Sequence, residues 1–188
     1  MNILTDTLPE TITVKGQKYQ INTDYRTWIK VSQIVFDNNF DAVSIAKIIA
    51  LTLSVIPPDA TETISELLNF YSCGNKKKNG VKSENRVRQI FDFGIDASYI
   101  YAAFMQQYNI DLTKVNFHWW TFKALLDAIS DETQFGKILQ YRCTDISKIK
   151  DKETKRHYRN MKQIYALPDN RTEDEKEREF AEGLSVLF

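Results

Sequence analysis

From position 25 onwards apolar residues recur at intervals of three and four, and this period constrains the chain more than any other feature, because only helices packed on one another can bury such stripes. Tyr25, Trp28, Ile29 and Ser32, followed by Val35 and Phe36, make the first stripe, with Thr23 or Asp24 as its cap. A second helix follows Asp41 and is expected to stop at Pro57-Pro58, since proline cannot donate to the helical ladder. A third spans about residues 61–71 and closes at Gly74, which accepts a left-handed C-terminal cap. Ala97, Ile100, Tyr101, Phe104 and Tyr108 share one face of a fourth helix, broken by Asn109-Ile110-Asp111. Val115, Trp119, Phe122, Leu126 and Ile129 form the next stripe. Phe135, Ile138, Leu139 and Tyr141 suggest a short helix after Asp131, and Asp151 caps a last one that Pro168-Asp169 ends.

Ahead of these stripes the period is two. Thr11-Ile12-Thr13-Val14 and Lys18-Tyr19-Gln20-Ile21 alternate apolar and polar around Lys15-Gly16-Gln17, which predicts a β-hairpin over about residues 11–21 with one buried face. The predicted fold class is therefore mostly α: a helical domain with a short N-terminal β-hairpin and a C-terminal helical appendage. Residues 1–169 are expected to form the single domain, and 170–188 a charged amphipathic C-terminal helix. The stretch 75–88 has no apolar period and carries Lys76, Lys77, Lys78, Lys82, Arg86 and Arg88 against the one acid Glu84, so it reads as a mobile basic loop. There is no internal repeat.

Composition removes several function classes. At 188 residues the chain can bury roughly 70% of its unfolded surface and needs no staple. Its two cysteines, Cys73 and Cys143, are far apart, which argues against a disulfide framework and for a reducing compartment. The net charge is +0, so no bulk field draws it to nucleic acid or to an anionic membrane. Residues 1–11 lack a basic stretch followed by an apolar run, so no signal peptide is expected. The most apolar segment, 42–56, contains Lys47 and falls short of the roughly 20 residues a membrane span needs; it reads as a buried helix.

Chemistry-bearing constellations are scarce. The glycines are isolated, so no phosphate-binding loop is present. Cys73, His118, Cys143 and His157 lack zinc-ligand spacing. Both cysteines read as small buried residues rather than nucleophiles, and His157, among Lys155, Arg156 and Arg159, reads as a surface residue. Asp92 and Asp96 are expected to cap the helix that begins near them. No catalytic residue, metal ligand or cofactor is assigned, and the expectation is a non-enzymatic protein that binds another protein.

Several segments carry a family resemblance. They are Leu4-Thr5-Asp6-Thr7-Leu8-Pro9-Glu10, Tyr19-Gln20-Ile21-Asn22-Thr23-Asp24-Tyr25-Arg26, Tyr99-Ile100-Tyr101-Ala102-Ala103-Phe104, His118-Trp119-Trp120-Thr121-Phe122, Tyr141-Arg142, the run 145–152 and Tyr165-Ala166-Leu167-Pro168. Together, over about residues 3–170, the chain resembles the bacteriophage "gene product fifteen" family of phages and prophages of Gram-positive bacteria. The resemblance implies a part in building long non-contractile tails, as a tail assembly chaperone that binds the tape-measure protein, with the tail-tube protein as a further candidate partner, in the host cell cytoplasm. A structural minor tail component of the virion is the first alternative, and a nucleic-acid-binding phage regulator the second.

Three groups of residues are candidates for contacting a partner. Trp120 points away from the apolar face of its helix, beside Asn116, Lys123 and Asp127, so either another element of the fold covers it or it anchors a partner or second copy. Lys155, Arg159 and Lys162 share a basic helix face. Phe180, Leu184, Leu187 and Phe188 would form an apolar stripe on a C-terminal helix whose other side is Glu173, Glu175, Lys176, Glu179 and Glu182. That stripe docks either on the protein's own core or, across the separating Pro168-Asp169-Asn170, on a neighbouring copy, which would make a homo-oligomer and let the acids meet the basic face in trans.

Overall fold

A computed structural model of the chain describes residues 3–37, 40–74 and 90–168. The predicted mobile loop at 75–88 and the predicted C-terminal helix, with Phe180, Leu184, Leu187 and Phe188, lie outside them. The described residues form a two-stranded antiparallel hairpin followed by seven α-helices.

Strands β1 (Thr11–Val14) and β2 (Gln17–Gln20) pair with Val14 opposite Gln17. The connection is thus two residues, Lys15 and Gly16, rather than the expected three. Both have positive φ, 49° and 77°, the pairing of a tight turn whose twist matches the strands it joins. Lys15 tolerates that conformation because it is held: its Nζ lies 2.9 Å from Asp59 and its backbone N–H donates to Glu62 at 3.2 Å. A lone hairpin is marginal in water, and here Ile12 and Val14 are buried against the helix that begins beside those acids.

Helix α1 (Tyr25–Val35) starts at Asp24, whose carboxylate accepts the Arg26 N–H at 2.8 Å, and buries Tyr25, Trp28, Val31 and Ser32. Helix α2 (Ala42–Thr52) is capped by Asp41. It ends five residues before Pro57, because Leu53 turns extended and bridges to Ile21 while the Asn22 N–H takes the Thr52 carbonyl at 2.8 Å. The hairpin captures the end of α2 before proline can stop it. Consequently the segment 42–56 is not a wholly buried helix: Val43, Val55 and Ile56 are exposed. Helix α3 (Ala60–Tyr71) is capped by Asp59 and closed by Cys73 and Gly74, both left-handed, with the Gly74 N–H on the Asn69 carbonyl.

Helix α4 (Ala97–Tyr108) buries Ile100, Ala103 and Phe104 and is stopped by Asn109 at φ 54°. Helix α5 (Trp119–Asp127) is entered through a bridge between Asp24 and His118, which ties the starts of α1 and α5. Helix α6 (Gln134–Cys143) packs on α4, and α7 (Lys152–Ile164), capped by Asp151, packs on α6. The core is aromatic. Trp28, Phe104, Trp119, Phe122 and Phe135 are all nearly inaccessible. The first four interlock with one another and with Tyr25, Phe70 and Phe93, and Phe135 meets Phe91, at centroid separations of 4.6–6.5 Å. Each buried indole N–H has a carbonyl: Trp28 donates to Asn22 and Trp119 to Tyr71. Among the described residues no helix is long and apolar enough to cross a membrane.

Candidate functional site

Trp120 sits where α5 crosses the end of α3. His118 places it: its Nδ1 accepts the Trp120 N–H at 3.1 Å, so its Nε2 carries the proton and donates to the Pro9 carbonyl at 3.0 Å. The Trp120 indole N–H donates to the Phe70 carbonyl at 2.9 Å, its ring packs on the Phe70 ring, and Gly74 lies against its six-membered edge. The end of α3 therefore covers one side of Trp120, while the ring stays half-buried. Its other side opens on a cleft of about 430 Å³ lined also by Ile3, Tyr71, Cys73, Lys123 and Asp127. Lys123 and Asp127, one helical turn apart, are ion-paired on its rim. The cleft can take a large apolar side chain beside a polar group. It holds no activated nucleophile, for burial pushes the Cys73 thiol up to about 11, with Lys123 only partly opposing this.

The two cysteines differ from their common reading. Cys73 is half-buried, whereas Cys143, on the last turn of α6, is exposed. His157 is exposed as expected and touches the rings of Tyr141 and Tyr158 edge-on. Among the described residues no group of three His, Cys, Asp or Glu side chains is placed to hold a metal ion.

The basic residues of α7 lie on one flank. Lys155 is half-buried, Arg159 is exposed, and Lys162 donates from Nζ to the Thr144 carbonyl at 2.9 Å. Lys152 and Arg156, both exposed, belong to the same flank by helical spacing and were not singled out by the sequence. None of the five forms an ion pair with a described acid.

Asp92 and Asp96 behave otherwise than as a pair of caps. Asp92 accepts the N–H groups of Gly94 and Ile95 in a turn ahead of α4. Asp96 occupies the N-cap position of α4 but makes no capping bond from its side chain, which is instead buried against Arg142 of α6 at 2.6 and 2.9 Å. Spacing alone does not pair residues this distant in sequence, and Asp96 stands between Ile95 and Ala97, both exposed, so nothing local marks its carboxylate as buried.

Comparison with curated proteins and with solved structures gives no match. A family model, described as Bacteriophage Gp15 protein, matches residues 4–167, which includes the hairpin, all seven helices, the Trp120 cleft and the basic flank. The chain belongs to the bacteriophage Gp15 protein family.

Proposed function

We propose that this protein is a phage tail assembly chaperone that binds the tape-measure protein without catalysis and keeps it soluble while the tail tube forms around it. The observation that carries the reading is membership of the phage family across the whole described body. A tape-measure protein is a long helical chain with apolar seams, and such seams are taken up by apolar surface on a helical partner. The protein offers such surface in the Trp120 cleft and in Val43, Val55, Ile56 and Met105, which are among the large apolar side chains left exposed. Weak single contacts suffice, because many copies on one filament gain avidity and tube subunits then displace them stepwise. The role places the protein in the host cell cytoplasm.

The test is to follow the protein through assembly. It is expected to co-purify with the tape-measure protein from cells arrested before tube polymerisation and to be missing from finished particles. Stoichiometric retention in washed particles would instead mark a minor tail component.

A further inference from the structure

We propose that the basic flank of α7 is the docking surface for the chain's own acidic segment, residues 173–182, folded back in cis. Lys152, Lys155, Arg156, Arg159 and Lys162 fall at i, i+3, i+4, i+7 and i+10, a sector about 120° wide and about 15 Å long. Like charges at these spacings repel, and no described acid pairs with them. Glu153 of the same helix lies away from this sector by its position. Two other described acids stand near the ends of the flank. Asp151, next to Lys152, spends its carboxylate on the Thr154 N–H as the N-cap of α7. Asp145 has its carboxylate held below the usual range by the Ser147 hydroxyl first, with the Lys148 and Lys162 charges as smaller causes. It serves the start of the short 3-10 turn at Ile146–Lys148 and stands at one end of the flank only.

The chain supplies the missing charge a few residues further on. Glu173, Asp174, Glu175, Glu177, Glu179 and Glu182 face only Lys176 and Arg178 in the same stretch. If helical, residues 173–182 span about 14 Å, a match to the flank. The chain leaves α7 at Ile164, and Arg142 holds the Tyr165 carbonyl at 2.6 Å, so the exit point is fixed beside the flank's Lys162 end. Eight residues, 165–172, separate the end of α7 from the acidic segment in sequence, a length that suffices for a return alongside the helix. Tethering at that distance gives an effective concentration in the millimolar range, which a second copy or a free polyanion must exceed. Nucleic acid is the weaker occupant also because the tyrosines around α7 pack on one another, Tyr141 stacked on Tyr165 and edge-on to Tyr158, rather than presenting free faces to bases. This inference does not depend on the chaperone reading. Its consequence is that a partner with an acidic seam reaches α7 only by displacing the protein's own segment.

The experiment compares amide NMR spectra of the full chain at low and high salt with those of the full-length double variant Arg156→Glu, Arg159→Glu. Both substituted residues are exposed, so the fold is retained. Expected is one set of shifts covering α7 and residues 173–182, abolished by high salt, abolished at low salt in the variant, and unchanged on dilution. Resonances of 173–182 that ignore both salt and charge reversal overturn the proposal. Shifts that fade on dilution overturn it in favour of a second copy. A short DNA duplex that moves the α7 resonances at stoichiometric amounts without releasing residues 173–182 overturns it in favour of nucleic acid.

Discussion

Arg142 grips Asp96 with both terminal guanidinium nitrogens, at 2.6 and 2.9 Å, and the two side chains are 9% and 1% exposed. The same guanidinium donates to the Ile90 carbonyl at 3.1 Å and, from Nε, to the Tyr165 carbonyl at 2.6 Å, while Asp96 also accepts the Asp92 N–H. One arginine thus joins the start of α4, the end of α6 and the exit from α7, with four of its five N–H groups engaged. Removing the cation leaves a buried carboxylate without its partner. Arg142→Met is expected to cost about 3–5 kcal/mol, read by urea unfolding. Adding Asp96→Asn, which keeps the acceptor but removes the charge, is expected to recover part of that loss. A single variant as stable as the parent would refute the pair's importance.

Gly136 is required for a different reason. A Cβ there would stand 2.2 Å from the Ser130 carbonyl oxygen and 2.7 Å from the Asp131 Cα, both backbone atoms that cannot swing aside. Its φ is not in the left-handed region, so the constraint is space and not conformation. Gly136→Ala is expected to destabilise by about 1–3 kcal/mol despite alanine's better helix propensity, visible as a lowered Tm. An unchanged or raised Tm would show that the turn before α6 yields freely.

These two sites mark where the sequence stops being legible. Apolar period and end signals together located all seven described helices: Asp41, Asp151 and Gly74 announced their own ends, and Asp24 was one of two caps offered for α1, because period and capping are local properties. The early end of α2 was hidden because it depends on Leu53 pairing with Ile21, a contact between distant segments. The Asp96–Arg142 pair was hidden for the same reason, and Asp96 at a helix start looks like any cap. Trp120 was legible only as an alternative: its turn away from the α5 stripe was visible, but that the Phe70 carbonyl receives its N–H was not.

The thiols should separate cleanly. Cys143 is exposed, while burial raises Cys73 to about 11, leaving about a hundredfold less thiolate near neutral pH than an ordinary cysteine has. Iodoacetamide at neutral pH is expected to label Cys143 first and Cys73 much more slowly, as followed by intact mass. Equal rates would mean that the end of α3 opens readily.

Acid should weaken the fold through its caps. Asp41, Asp59 and Asp151 are held below the ordinary carboxylate range, first by the backbone N–H groups of Ser44, Glu62 and Thr154 that each accepts. Since the folded values are depressed, their contribution is complete above the unfolded value of about 4 and is lost as pH falls through the folded ones. Tm is therefore expected to be flat from about pH 7 to 5 and to fall below about 4. Asp59→Asn, which still caps but does not titrate, should shallow that fall, and also loses the ion pair to Lys15. A Tm that rises on acidification would contradict the sign.

Trp120→Ala is expected to leave a folded but less stable protein, since the ring is half-buried and the covering contacts to Phe70 and Gly74 are at one side only. Its tape-measure binding, measured by co-purification, should drop at least tenfold if the cleft is an anchor site, as the removal of a central tryptophan commonly does. Full binding by the folded variant would remove the cleft from the interface.

The most direct test of the chaperone account is the soluble fraction of the tape-measure protein when it is co-expressed with this protein over a range of ratios. The account predicts a shift from pellet to supernatant that rises with the ratio, with both proteins in one complex by size exclusion. A tape-measure protein that stays in the pellet at every ratio, while unrelated chaperones rescue it, would contradict the account.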